Sequence, residues 1–499
     1  DVYRQAMLDA YPFSPDLMEI ILRRVPARGG FQNVRGALGF LAHLVRLTHT
    51  DADLITPGRA SIRNREVAIR LGDLDPGSDL ITRAQGNLDE LKDFPFAGEI
   101  ASATLLYTVT GMDARTQGAT REELIRSALG PGADINDFER CLMAFGKYAA
   151  YFHGREGRYF FDREENADAK VEFHSLKVPE DQARAALRAL WRDELFREPT
   201  AVVWLGVDET RAAVEALEKD RLRWILAPRR LTLEDRLTLY HGLSARNQVI
   251  LLVPKEEAFD LDANPDLLKW AKRFLAARSL LDMTREPARR AEYERIGKED
   301  RGNILAQIRR AGLIYVRFEV GAGGTSTEEE SLATAVSREE VVNYLSQKLY
   351  PPQLLAEHIL SRFDQVKGRA VGEVDREYRT TLGFPVPTHA GSITRAIGLL
   401  CRDGKLGLSH SRGNFCGMAP ELSDREILDA TIEDPFPGGV PTPSPTICPE
   451  KPTEGPGTPG EVPPIVPPPA GRQVSVRTPP QAGIGALRQA AASLLQEYP

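Results

Sequence analysis

The chain has little cysteine. Cys141, Cys401, Cys416 and Cys448 are spread over 499 residues. No two of them form a CxxC pair, and none joins a His at zinc spacing, so neither a disulfide framework nor a zinc module is written in the sequence. The pattern reads as reduced thiols in a cytoplasmic protein. Long hydrophobic runs are missing too. No apolar stretch approaches the roughly 20 residues that a membrane span needs, and the first residues carry neither the basic segment nor the apolar core of a signal peptide. Surplus positive charge is also absent: Lys and Arg number 64 against 71 Asp and Glu, a net charge of −7. The molecule as a whole therefore has no field to gather nucleic acid or an anionic membrane, and any such binding is local.

Catalytic signatures are equally scarce. No G-x-x-x-x-G-K-S/T phosphate cradle occurs. The nearest candidate, Gly321 to Thr327, lacks the lysine, is followed by Glu328, Glu329 and Glu330, and reads as a flexible loop. Trp204 to Glu209 has the order of the strand and acidic pair that hold Mg²⁺ in P-loop ATPases. With no P-loop before it, Asp208-Glu209 reads as the acidic start of a helix. A Ser/His/Asp triad is hard to exclude from one sequence, but there is no G-x-S-x-G elbow, and the eight His are scattered singly with no H-E-x-x-H spacing, so surface or packed His is the default.

What is present is an ordinary globular composition, 42% hydrophobic and 27% charged, at a length that predicts about three domains. The fold class expected is multidomain α+β. Residues 1–95 read as helical. Tyr11 to Pro15 form a stiff turn, and Asp16 is the expected cap of a helix whose stripe is Leu17, Ile20, Ile21 and Val25, broken at Gly29-Gly30. A second helix runs from Val34 to Leu47 with Leu38, Leu41, Ala42 and Val45 inward. Residues 96–178 read as helices followed by a hairpin. Glu99 to Val109 is apolar, Thr120 to Glu123 has capping-box form, and Ile135, Phe138, Leu142 and Phe145 recur at helical spacing. Tyr151 to His153 and Arg158 to Phe161 flank a polar turn. This is the element order of a winged helix.

Residues 179–325 read as an α/β domain. Ala201 to Leu205, Val249 to Val253 and Leu313 to Phe318 are unalternating apolar runs expected of strands covered on both faces, with helices at Leu231 to Leu243, Leu267 to Leu281 and Arg289 to Arg310. The last helix mixes seven basic with four acidic residues, with Glu294 and Lys298 at ion-pair spacing, and reads as a solvated face. Residues 326–434 repeat the winged-helix order, with a capping box at Ser337 to Glu340, a helix from Gly391 to Cys401, and short strands at Lys405 to Leu408 and Asn414 to Gly417. Fourteen prolines between Pro435 and Pro469 make 435–472 an extended linker. Residues 473–499 begin a further segment. The start at Asp1 and the end at Pro499, just past a helical pattern, read as a fragment.

Charge separates the two winged-helix-like modules. Ile135 to Glu165 holds five basic and six acidic residues, which suits a structural or protein-binding role. Ser392 to Arg412 carries Arg395, Arg402, Lys405 and Arg412 against Asp403, with His410 in addition, so DNA contact is expected there.

The Tyr11-Pro-Phe-Ser-Pro segment followed by Gly30 to Leu38 resembles a predicted AAA+-like P-loop ATPase family, that of domain of unknown function 499. Ala103 to Tyr107, Gly118 to Thr120, Gly130 to Gly132, Gly157 to Asn166 and Arg246 to Pro254 agree in order, so that the resemblance covers residues 1 to about 320, with weaker support to about 435. The resemblance implies ATP and Mg²⁺ as cofactors, and DNA methyltransferase or helicase subunits of bacterial anti-phage systems as partners. The matched part begins after the family's nucleotide-binding core, at its helical lid. A P-loop domain upstream is thus an implied partner, and the ATP site is incomplete in this chain. The residue carried over is Arg35, in Val34-Arg35-Gly36 where the family often has Thr-Arg-Gly; a lid arginine there reaches the nucleotide's terminal phosphates. Arg46, three turns on, is the poorer candidate. The expected function is the lid and accessory part of an ATPase subunit that couples ATP state to DNA or partner docking, without turnover of its own. The alternative is a non-catalytic scaffold whose winged helices bind protein.

Overall fold

Pro12 to Ser14 run extended and pair with Ile55, Ser14 N–H donating to the Ile55 carbonyl at 2.9 Å and Ile55 N–H to that of Pro12 at 2.8 Å. In the computed structural model, residues 2–27, 34–75, 79–111, 113, 115–219, 221–321 and 324–436 are described. The Gly29-Gly30 break, nearly all of the Pro-rich linker and all of 473–499 lie outside them. After the extended entry, the helix Pro15–Glu19 continues through a π-turn at Ile20–Arg24. Leu17, Ile20, Ile21 and Val25 are all buried, as their spacing predicts. The cap differs from expectation. Ser14, not Asp16, accepts the Leu17 N–H at 3.2 Å, because a cap must stand one residue before the first turn. Asp16 instead receives Arg126 at 2.8 Å.

In the helix Val34–Thr48 the inward face is also turned from the expected one. Phe40, Leu41 and Leu44 are buried, whereas Leu38 is 61% exposed and Ala42 faces solvent. Apolar residues surround much of this helix, so periodicity alone does not choose a face. Phe40 and Leu44, at i and i+4, have more apolar surface to bury and take the core.

One hydrophobic core runs from Leu17 to Phe161, across the boundary expected between residues 95 and 96. Its axis is the helix Ala97–Val109, buried on nearly every side. There follow β1 (Ala119–Thr120), the helices Arg121–Ala128 and Ile135–Tyr148, β2 (Phe152–Arg155) and β3 (Arg158–Phe161), in an antiparallel sheet of order β1-β3-β2. The capping box at Thr120 and Glu123 is formed. Glu156 and Gly157 both have positive φ, 52° and 76°, which joins β2 to β3 by the tight turn whose twist suits a hairpin.

The central sheet has the order β4 (Val202–Val203), β5 (Arg223–Leu226), β6 (Val249–Pro254), β7 (Leu313–Gly321) and β8 (Gly324–Ser331). The first three strands are parallel and the last two antiparallel. Both faces are covered. Trp224, Leu226, Ile250, Leu252 and Tyr315 enter one core with the helices Pro265–Met283 and Pro287–Ala311, while Ile225, Leu251, Val253 and Val316 enter another with Leu239 and Tyr240.

The flexible loop expected at 321–327 is overturned at its described ends, since Gly321 closes β7 and residues 324–327 open strand β8, while residues 322 and 323 lie outside the described residues. The strand holds because Thr327 faces Phe318 in register and the acidic run is neutralised from neighbouring elements. Arg317 pairs with Glu328 directly across the ladder, and Arg230 and Arg236 clasp Glu329.

The last core gathers Ile359, Val374, Tyr378, Ile397, Leu400, Leu408 and Ile432 from the helices Pro352–Ser361, Val371–Thr380 and Ser392–Arg402 and a second small sheet. That sheet contains β9 (Gly407–His410), β10 (Gly413–Phe415) and β11 (Thr431–Glu433) in the order β10-β9-β11, with Ala370 bridging to Thr431. The chain is thus multidomain α+β in its fold class. Among the described residues no helix is long and apolar enough to cross a membrane.

Candidate functional site

The helix Ser392–Arg402 is strongly two-faced. Ile393, Ala396, Ile397, Leu400 and Cys401 are buried, leaving Arg395 and Arg402 outward. Seven residues apart, they stand about 10 Å from each other along the axis. Thr394 fixes the start of the helix, its hydroxyl donating to Asp424 Oδ1 at 2.9 Å. The turn after the helix exposes Lys405, and the hairpin β9–β10 carries Arg412 in its loop.

The four cations are not equivalent. The side chains of Arg395 and Lys405 are exposed and bond to no other described residue. Arg402 is turned onto neighbouring Asp403 at 3.1 Å. Arg412 donates to Glu426 at 2.8 Å, and Glu426 also accepts from Ser423 N–H as part of a capping box. That N–H first, and Arg412 after it, hold the Glu426 carboxyl down to about 2. Arg412 therefore ties the hairpin loop to the helix Asp424–Asp429. Exposed pairs of this kind are weak, so a phosphate can compete for either arginine.

The corresponding helix of the first module offers no such surplus. On Ile135–Tyr148, Arg140 is bonded to Asp137 and Lys147 to Glu172 at 3.1 Å, with Met143 65% exposed between them.

Arg35 lies in the first turn of Val34–Thr48, its side chain exposed and bonded to no other described residue. Arg46, near the other end, is engaged by His43 Nδ1 at 2.9 Å and by Glu66 at 3.4 Å. The two arginines thus stand in different circumstances, one open and one committed.

The described residues do not fit an ATP–Mg²⁺ site. Asp208 and Glu209 occupy the first turn of the helix Val207–Glu215. Asp208 pairs with Arg211 at 3.2 Å, and the Glu209 carboxylate folds back over Gly206, where the positive helix end favours it. Among the described residues no group of three or more His, Cys, Asp or Glu could hold a metal ion.

Sequence reasoning did not reveal a cleft of about 180 Å³ between β7, the helix Pro352–Ser361 and residues 382–385. Its lining is drawn from positions 240 to 385, and no local spacing marks it. No family model, no curated protein and no solved structure matches this chain.

Proposed function

We propose that this chain is the accessory part of an AAA+-like ATPase subunit in a DNA-directed bacterial defence system, and that it docks DNA through the module at 352–433. One observation carries the reading: the side chains of Arg395 and Lys405 are exposed and without a described partner, on and just after a helix whose other face is locked into the core. The order helix, strand, two helices and hairpin at 97–161 supports a winged-helix-like reading there. For 352–415 the Ala370 bridge stands in place of the first strand, and β11 takes the free edge of β9. In such modules a helix enters the DNA major groove while the hairpin follows the backbone. The open Arg35 supports a role as the lid arginine of a nucleotide site completed by an upstream P-loop domain.

The balanced charge on Ile135–Tyr148 favours a second role for the first module, a protein-binding surface centred on Met143. The DNA reading is tested with the full chain and a labelled duplex in an anisotropy titration at low salt. Arg395→Ala with Lys405→Ala is expected to weaken binding by at least tenfold, and unchanged affinity removes this face from the interface. For Arg35, the chain joined to its P-loop domain is expected to lose ATP turnover on Arg35→Ala. Unaltered turnover and nucleotide affinity exclude Arg35 from that site.

A further inference from the structure

The cleft of about 180 Å³ lies where the central sheet meets the last module. It opens at the amino end of β6, beside Val249 and Phe318. Open α/β sheets bind nucleotides at the carboxyl ends of their parallel strands, so this is a different kind of place. Its walls are flat. Tyr240 lies against Phe318 with ring centroids 3.9 Å apart, and Phe384 meets His358 edge-on at 5.0 Å.

The lining includes the Glu319 carboxylate, which faces Arg317, and several donors with no described acceptor. Tyr315 and Tyr350, 4% and 6% exposed, share one hydroxyl–hydroxyl hydrogen bond of 3.2 Å. Two hydroxyls bring two hydrogens, so one O–H is left with no described acceptor. A buried donor in that state is costly unless something fills the place. Arg246 spends only Nε, on the Leu243 carbonyl at 3.1 Å, and its two Nη groups bond to no other described residue. His358 Nδ1 meets the Tyr378 hydroxyl at 2.6 Å; with that hydroxyl donating, the ring proton sits on Nε2, which has no described partner. Arg317 is already taken by Glu319 and Glu328.

We infer that this cleft binds a small flat aromatic acid, its ring between the aromatic walls and its anionic oxygens taking the spare donors of Tyr350 or Tyr315, Arg246 and His358. A carboxylate and a phosphate share the required chemistry, a delocalised anion on a planar ring, and a guanidinium suits both. The site goes beyond the DNA-docking reading and does not depend on it. Because the cleft joins two cores, a bound acid would stiffen the seam that Asn247 makes by donating to the Tyr378 and Phe384 carbonyls.

The experiment is ligand-observed NMR titration of the full chain with benzoate, phenyl phosphate, inorganic phosphate and benzyl alcohol. Saturable binding of benzoate or phenyl phosphate is expected, and the stronger of the two identifies the acid. Benzyl alcohol and inorganic phosphate are expected to bind at least tenfold more weakly. Tyr350→Phe, which removes one oxygen, should weaken the acid about fivefold, and Arg246→Ala at least tenfold. Leu354→Trp, a substitution at a partly exposed lining residue, should abolish binding by filling the space while leaving the unfolding midpoint in place. Absence of saturable binding by both aromatic acids overturns the inference. So does equal binding of the neutral alcohol or of inorganic phosphate, or indifference to all three substitutions.

Discussion

Replacing Arg273 by Met tests how the central part of the molecule is held. Arg273 donates to Glu172 at 2.6 Å, to Asp168 at 3.1 Å and to Asp300 at 3.2 Å, linking the helices Ala167–Ser175, Pro265–Met283 and Pro287–Ala311. Met keeps much of the stem's packing and removes the charge. Glu172 then retains Lys147 at 3.1 Å, and exposed Asp168 retains Arg295 at 3.3 Å. Asp300, 4% exposed, has Arg273 as its one cation partner among the described residues.

Orphaning a buried charge costs about 3–5 kcal/mol. Asp300 has an escape, because burial already pushes its carboxyl up to about 6 against the pull of Arg273. Taking up a proton at pH 7 costs only about 1–2 kcal/mol and caps the loss. The expected destabilisation is therefore about 2–4 kcal/mol at pH 7. Asp300→Asn in the same chain should return about half of it. The sign with pH follows. A carboxyl whose pKa is raised on folding adds stability below its unfolded value, near 3.8, and that contribution is lost as pH rises through about 6. The cost of Arg273→Met should therefore be smaller at pH 5 than at pH 7. Urea unfolding followed by tryptophan emission is the assay, since Trp191, Trp204, Trp224 and Trp270 all lie in this central part. A cost below about 0.5 kcal/mol, or no recovery in the double variant, refutes the reasoning.

Three further outcomes are expected. Glu215 is held down to about 2: burial opposes its charge, but the Ser244 N–H and hydroxyl and Lys219 prevail. Its stabilisation is present above about 4.5 and lost as pH falls toward 2, so Glu215→Gln should flatten the acid limb of the same urea experiment, and an unchanged limb would disprove the assignment. Gly118→Ala would place a Cβ 2.2 Å from the Tyr159 carbonyl at φ +83°, and should cost more than about 2 kcal/mol in thermal unfolding followed by circular dichroism. Thr120→Ala, two residues on, removes only a capping box and should cost about 1 kcal/mol in that assay. Equal losses at the two positions would mean that the close approach at Gly118 is not what holds β1.

The apolar runs Val249 to Val253 and Leu313 to Phe318 are legible as strands because both faces of the sheet are covered. β5 is not, because it begins with Arg223, whose 2% exposed guanidinium donates to the Val214 and Ala245 carbonyls. A charge satisfied by backbone from two other segments looks, in one dimension, like a surface residue. β8 is hidden for a similar reason. Gly324 to Ser331 has the composition of a solvated loop until Arg317, Arg230 and Arg236 arrive from elsewhere. At the candidate site, a charge count finds Arg395, Arg402, Lys405 and Arg412 as a cluster. It cannot see that Glu426, fourteen positions after Arg412, engages that arginine. The aromatic cleft is the least legible feature, since only tertiary packing assembles it.

The most direct test of the account is the salt dependence of duplex binding by the full chain. Two open cations, on and just after one helix, predict that log K falls with log salt with a slope of about −2 or steeper, and that removing Arg395 or Lys405 flattens it by about one unit each. Binding that is absent at low salt, or a slope that neither substitution changes, contradicts a DNA-docking role for this face.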